Sequence, residues 1–353
     1  MAILLAQTPK GLSTFLAPMR QPSPDNEKLN GIHIQRLKTK FGTKSLPTAE
    51  LELIGTRAHL IGSEGHGIPE ISTILNISRL WSAVSAVGYL GRGIAIVKAW
   101  AGVREVGKKG VLNENPLFMN TLAKVAGEYH KMMLFTFYVA YLVGLDEHPP
   151  SSSTSSHELQ PDTPSDTSLL LRVLTPILKA AVCKTSTINL HECMEAFGGV
   201  GYLDNTENES INISRLYRDC CVLSIWEGTT DVLSSDTIRV LTGKRGKGVI
   251  GALNRLFGDN KSWQKLRERL ESGGVENLLP KGRELVFEMA DLIMVLLLKV
   301  DAASDGHVAV GKILARCGGS GALLRKAEDE LVLNQLIIYG KPVGRNELQR
   351  PKL

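Results

Sequence analysis

Apolar and polar positions change their spacing along the chain. Within residues 1 to about 62 the apolar side chains alternate or cluster in short β-branched runs, at 2–7, 12–18, 31–37 and 49–54, separated by turns such as Thr8-Pro9-Lys10-Gly11. Alternation with period two puts one side of each run on one face of a sheet, so this stretch predicts strands. After the glycine-rich turn Gly62-Ser63-Glu64-Gly65-His66-Gly67 the period lengthens: Ile71, Ile74, Leu75, Ile77 and Leu80 recur three and four positions apart in a helical pattern reaching Lys98. Pro116 opens a second helix through Leu122, Val125 and Tyr129 to Val143, and a third spans 169–197. Shorter helices follow, one starting at Ile213 and one over 232–241, then amphipathic stretches around 253–270, 282–301, 308–317 and 322–338.

Between the second and third helices, residues 146–168 are rich in Ser, Pro, Thr and Asp and almost lack apolar side chains. Such a composition buries too little surface to offset its ordering entropy, and predicts a disordered insert inside one bundle.

Composition narrows the class without naming a chemistry. Of 353 residues 43% are hydrophobic, enough for two domains and a sizeable core. The five cysteines have no C-x-x-C spacing, which argues for a reducing compartment over a disulfide framework or a zinc site. The greasiest run, 285–300, contains Glu288, Asp291 and Lys299 and does not read as a membrane span. The net charge of +5 is uneven: from Lys244 onward 19 Lys and Arg face 13 Asp and Glu. That surplus leaves two readings open, a solvated basic face and contact with nucleic acid.

Candidate chemistry concentrates in residues 194–231. A helix end, Glu195-Ala196-Phe197, breaks at Gly198-Gly199-Val200-Gly201, where glycines permit positive φ and close approach of a ligand phosphate to backbone amides. Farther on, Glu227 sits between Trp226 and Gly228. A carboxylate in an apolar pocket has a raised pKa and becomes a usable proton acceptor near neutral pH. Taken singly, the glycines also suit a tight helix connection, and Glu227 a solvated or capping role. The adjoining His191-Glu192-Cys193 reads as a packed helix face, and the sequons at Asn208 and Asn212 carry no meaning without a secretory signal.

Three motifs in this stretch, Glu-Ala-Phe-Gly-Gly-Val-Gly-Tyr, Arg-Leu-Tyr-Arg-Asp and Ile-Trp-Glu-Gly-Thr-Thr-Asp, resemble the C-terminal signature of the acyl-CoA dehydrogenases. The Trp before the Glu is similar to the alkylation-response (AidB-like) branch. The resemblance implies an α+β, mostly α fold, in which a partial β-domain (1–62) precedes a helical flavin and acyl-CoA domain (63–243, with the insert 146–168) and a basic helical extension (244–353). It implies FAD as cofactor, an acyl-CoA thioester as substrate, and a homo-oligomer, dimer or tetramer. Glu227 would be the base that removes the α-proton, and Arg79, in Ser78-Arg79-Leu80, would face it and the substrate. Gly198, Gly199 and Gly201 would lie near the flavin, with Thr229 and Asp231 on its adenosine side.

Arg104, in Val103-Arg104-Glu105-Val106-Gly107, and the later Asn115-Pro116-Leu117 resemble the element whose arginine reaches a neighbouring subunit's flavin, with residues 108–114 pushing its halves apart. The family's N-terminal helical domain and the first half of its β-domain have no counterpart in these residues. The expectation is therefore a fragment or a chain that has lost activity. The alternative function is a DNA-binding, alkylation-response-type protein using the basic extension on duplex DNA. The expected location is cytoplasmic, or peroxisomal by the similarity of Pro351-Lys352-Leu353 to a targeting tripeptide.

Overall fold

The computed structural model describes residues 1–21, 28–107, 110–149, 159–304, 308–317, 327–341 and 343. The chain divides into two compact units, Met1–Arg79 and Leu80–Leu353.

The first unit carries strands β1 (Ala2–Thr8), β2 (Gly11–Ala17), β3 (Arg20–Gln21), β4 (Lys28–Leu29), β5 (Ile32–Leu37), β6 (Ala49–Leu53) and β7 (His59–Ile61). The expected Thr8-Pro9-Lys10-Gly11 turn closes an antiparallel β1–β2 hairpin in which Ala2 faces Ala17, and β7 joins the other edge of β2. β5 and β6 pair separately around an irregularity between Ile34 and Arg36. The turn before the first helix is glycine-rich because it lies against this hairpin. A Cβ at Gly65 would stand 2.4 Å from the Lys10 carbonyl oxygen, and the Gly65 amide donates to Ser13 Oγ at 2.7 Å.

The boundary between the units falls inside α1 (Gly67–Val103). By length and composition α1 is apolar enough to cross a membrane, yet Ala83, Ala86, Leu90 and Val97 on it are buried in the second unit's core. That core is built with α2 (Pro116–Glu147), α3 (Pro164–Ala196), α4 (Gly199–Tyr202), α5 (Ile213–Cys221), α6 (Thr230–Thr242), α7 (Gly246–Phe257), α8 (Lys261–Ser272), α9 (Val275–Leu278), α10 (Gly282–Ser304), α11 (Val308–Cys317) and α12 (Ala327–Tyr339). α3 is the central rod: residues 173–183 are buried without interruption, and it packs on α2, α5, α6, α7 and α10.

The insert expected over 146–168 is shorter in the structure. α2 runs on to Glu147, Tyr138 donates its hydroxyl to the Leu159 carbonyl, and Thr163 caps α3 by accepting from the Asp166 amide, with Pro164 in the first turn. Capping chemistry, which composition does not register, draws these polar residues into order; residues 150–158 lie outside the described part, as do 351–353. The helix expected around 253–270 is two helices, because Gly258 adopts φ 52° and Asn260 caps α8 with its side chain.

The residues after Lys244 do not form a separate extension, since α7 packs on α3 and α6, and α10 on α2, α3 and α6. Part of their positive charge is paired: Arg255 with Asp166, Arg269 with Glu284 and Glu288, Arg283 with Asp231, and Arg316 with Glu330. These pairs remove part of the charge surplus on which the duplex-DNA alternative rested.

Cys183, Cys193 and Cys220 are buried, and burial pushes each thiol up to about 12. Cys317 is exposed. A maleimide at pH 8 is therefore expected to label Cys317 first and to leave these three untouched until the chain unfolds, as mass spectrometry of labelled peptides would read. Labelling of Cys193 in the native protein would contradict the packing.

Candidate active site

The glycine stretch is built from the end of α3. Phe197 is buried, and Gly198 then turns the chain with φ 70° and ψ −156°, its amide donating to the Glu195 carbonyl at 2.8 Å. Each glycine is there for a separate reason. A Cβ on Gly201 would lie 2.2 Å from the Met194 carbonyl oxygen, so α4 folds back on α3 only without a side chain at that position. Gly198 needs its positive φ, whereas a Cβ on Gly198 or Gly199 would meet no atom within 4 Å, leaving open space above the turn. Gly201→Ala is accordingly expected to destabilise the fold by about 3 kcal/mol, read as a lowered Tm.

That open space is one wall of a cleft of about 530 Å³, lined by Trp100, Arg104, Val106, Leu112, Asn115, Leu117, Phe197, Gly198 and Gly199 among others. The Trp100 and Phe197 rings are 4.6 Å apart, and the Arg104 guanidinium lies 5.5 Å from the Trp100 ring centre. The cleft thus has an aromatic floor, one cation and a turn of uncovered glycines. The stretch between Arg104 and Asn115 does not push the two halves of its motif apart. The amide of Leu112 donates to the Arg104 carbonyl, that of Val106 to the Gly110 carbonyl, and Glu105 pairs with Val111, so residues 110–112 run back alongside residues 104–106. Arg104 and Leu117 consequently reach the same cleft. Trp100, one helical turn before Arg104, was not singled out by sequence reasoning; its signal was the i, i+4 spacing of Trp and Arg on one helix face.

The loop bearing Glu227 is held separately. The amides of Ile225 and Trp226 both donate to the Val222 carbonyl, Glu227 takes φ 59°, and Gly228 follows at φ 108°. A left-handed conformation is uncommon for a residue with a side chain and costs of order 1–3 kcal/mol, so the surrounding structure must enforce it. Lys179 is one enforcer. It is fully buried on α3, and its Nζ donates to the Gly228 carbonyl at 2.6 Å. The clue in the sequence was a lysine amid the apolar run Leu174-Thr175-Pro176-Ile177-Leu178-Lys179-Ala180-Ala181-Val182.

Trp226, the aromatic expected beside the carboxylate, is 40% exposed and the preceding Ile225 60%, so within this chain they present apolar surface around Glu227 instead of enclosing it. Thr229 caps α6, its side chain accepting from the Val232 amide. The Asp231 carboxylate is bound to Arg283 at 2.6 Å, and that guanidinium holds it below the usual carboxylate range. Neither Thr229, Asp231 nor Glu227 lines the Arg104 cleft; Arg79 is the last residue of the first unit.

Two neighbours of the glycine turn find structural roles. Cys193 is buried and His191 lies edge-on to Tyr217, with ring centres 5.6 Å apart, while Glu192 and Glu195 sit on the rim of the cleft. His191, Glu192 and Glu195 bring ligand atoms within 4.8 Å of one another on a largely exposed face. Asn212 is buried and caps α5 by accepting from the Arg215 amide, while its Nδ2 donates to Asp204 Oδ1 and the Asn205 carbonyl.

Comparison with known proteins places this arrangement. Residues 65–242 match the family model described as "Acyl-CoA dehydrogenase, C-terminal domain". Over 92% of its length the chain is 36% identical to acyl-CoA dehydrogenase family member 11 of Caenorhabditis elegans, and over 81% it is 28% identical to the putative acyl-CoA dehydrogenase AidB of Escherichia coli. Among solved structures, that of Caenorhabditis elegans ACDH-11 in complex with C11-CoA matches at a TM-score of 0.76 and 29% identity, over 97% of this chain and 58% of that one. The chain spans about half the length of the curated relatives it matches, 49% of each of the two named. With half of its residues matched by the family model, in the region that holds both the glycine turn and the Glu227 loop, the chain belongs to the acyl-CoA dehydrogenase family.

Proposed function

We propose that this chain is the base-bearing part of a FAD-dependent acyl-CoA dehydrogenase, acting in α,β-dehydrogenation of an acyl-CoA thioester. The observation that carries the reading is Glu227 held at φ 59° between an exposed tryptophan and a glycine pinned by a buried lysine. Strain of that kind persists where it serves a site. In the proposed reaction a Glu227 carboxylate oxygen takes the α-proton of the thioester, whose carbonyl is polarised by hydrogen bonds as the α-carbon gains negative charge. Arg79 is assigned to the substrate side by the resemblance of Ser78-Arg79-Leu80 to the family motif.

The residues around the Arg104 cleft fit the anionic part of a flavin dinucleotide. Gly198 and Gly199 leave open space for its approach, Arg104 supplies a cation, and Trp100 and Phe197 an apolar floor. When bound, FAD supplies the acceptor for the β-hydrogen and its electron pair. Gly201 is assigned to shaping this turn, and Thr229 and Asp231 to the adenosine side of a flavin. The substrate class follows the relative solved with C11-CoA, and a homo-oligomer follows the family.

The visible absorption spectrum of the purified chain tests the reading. Stoichiometric flavin is expected, together with its loss in Arg104→Ala and Gly199→Ala, the latter without a change in Tm because its new Cβ meets no atom. A folded, colourless wild-type chain would overturn flavin binding by these residues alone.

A further inference from the structure

A larger cleft, of about 980 Å³, opens where the start of α3, the end of α6 and the start of α7 meet. It shares no lining residue with the Arg104 cleft, and the reading above assigns it nothing. Four of its lining side chains are cations, Arg172, Arg239, Lys244 and Arg245, against the single carboxylate of Asp236. Arg172 already grips Asp236 through two hydrogen bonds, of 2.6 and 3.1 Å. Among the described residues Arg239, Lys244 and Arg245 have no acidic partner, whereas Arg255, Arg269, Arg283 and Arg316 in the same unit each have one. Three unneutralised cations around one concavity repel one another, and a cleft lined by one sign of charge concentrates anions.

The backbone adds to the same field. α7 begins here over twelve residues with Arg245 at its cap position and no side-chain cap; the Gly246 amide donates to the Gly243 carbonyl, those of Lys247 and Gly248 keep their hydrogen-bonding capacity, and the helix dipole places positive charge at that end. Gly243 and Gly246 are required by the tight α6–α7 turn, since a Cβ would stand 2.7 Å from the Arg239 carbonyl oxygen and 2.0 Å from that of Leu241 respectively. The turn thereby fixes the backbone carrying Arg239, Lys244 and Arg245 around the cleft. Leu169, Val240 and Val249 give the cleft an apolar side, and its size suits an organic ligand better than a bare inorganic anion.

We infer that this cleft binds a small nucleotide polyphosphate. The two free guanidinium forks and the Lys244 ammonium take the phosphoryl oxygens, and the apolar side takes the base. Recognition is electrostatic and involves no bond-making step.

Calorimetric titration of the full chain with ATP at about 50 mM salt tests this, alongside AMP, inorganic pyrophosphate and a duplex oligonucleotide. Saturable one-to-one ATP binding is expected, with AMP and pyrophosphate each at least ten-fold weaker. Arg239→Ala and Lys244→Ala are each expected to weaken ATP about ten-fold, and the double reversal Arg239→Glu with Lys244→Glu to abolish binding. All these positions are exposed, so melting temperature should hold and loss of binding is separable from loss of fold. Lys261→Ala, on α8 away from the cleft, should change nothing. No saturable ATP binding, pyrophosphate binding as tightly as ATP, preference for the duplex, or equal weakening by Lys261→Ala would each overturn the proposal. Flavin content is read from the same samples, so failure here and failure of the flavin reading are distinguishable.

Discussion

Replacing Glu227 with glutamine is expected to lower turnover of the flavin-loaded protein at least about 10³-fold while leaving the flavin spectrum and Tm unchanged. Glutamine keeps the volume and polarity of the side chain and removes its basicity, and a positioned general base contributes about 10²–10⁴-fold by itself. A second pair of variants tests the same residue without any assay of activity. At φ 59° a Cβ is a liability. Glycine escapes the penalty of roughly 1–2 kcal/mol for a left-handed conformation, though it adds about 0.4–1 kcal/mol of unfolded-state entropy. Glu227→Gly is therefore expected to melt at or above Glu227→Ala, the reverse of the order in ordinary helices and strands, and both are expected to be inactive. Undiminished turnover in the glutamine variant would remove Glu227 from the role of base. An alanine variant that melts clearly above the glycine variant would mean that the loop is not held in this conformation.

The other large effect is expected at Lys179. Methionine fills nearly the same volume but gives up the 2.6 Å hydrogen bond to the Gly228 carbonyl. Two terms oppose each other in global stability: losing a charge-assisted hydrogen bond costs about 1.5–3 kcal/mol, while removing a buried charge recovers part of its desolvation penalty. The Tm of Lys179→Met should therefore move little. Local order has no such compensation, because the carbonyl beside Glu227 loses its anchor. Amide exchange of residues 225–230 is expected to rise about 10- to 100-fold, and kcat of the loaded protein to fall by a similar factor with KM nearly constant. A purely structural lysine would instead lower Tm and leave exchange of that loop in step with the rest of the bundle. Lys179→Arg, which keeps the donor but not its shape, should restore part of the protection.

Local chemistry explains why so much of the framework was legible beforehand. The β1–β2 hairpin, the entry to α1 and the extent of α11 follow from alternation, turn residues and helical periodicity, all properties of neighbours in sequence. The glycine turn and the Glu227 loop were legible because their residue types are demanded by local backbone geometry. Gly201 must lack a Cβ to let α4 fold back on α3, and Gly228 must take φ 108°.

What the sequence alone misjudged depended on contacts between distant residues or on capping geometry. Composition made 146–168 look disordered, but a cap at Thr163 and a hydrogen bond from Tyr138 draw in its ends. A net count of charges made the last third look like a basic extension, but its helices pack into the bundle, where Asp166, Asp231, Glu284, Glu288 and Glu330 pair four of its arginines. The insertion after Arg104 looked like a separation in sequence, but residues 110–112 pair back against residues 104–106, and Leu117 returns to the cleft of Arg104.

The sequence by itself determined the helical class, the family signature and the identity of the candidate base, since these rest on residue types at short spacings. Only the tertiary structure decided that Arg104 and the glycines share one cleft, that Lys179 anchors the Glu227 loop, and that Arg239, Lys244 and Arg245 surround another. Each of these juxtapositions is set by how α1, α3, α6 and α7 pack, and no local periodicity encodes the partner of a buried lysine or the neighbour of an exposed arginine.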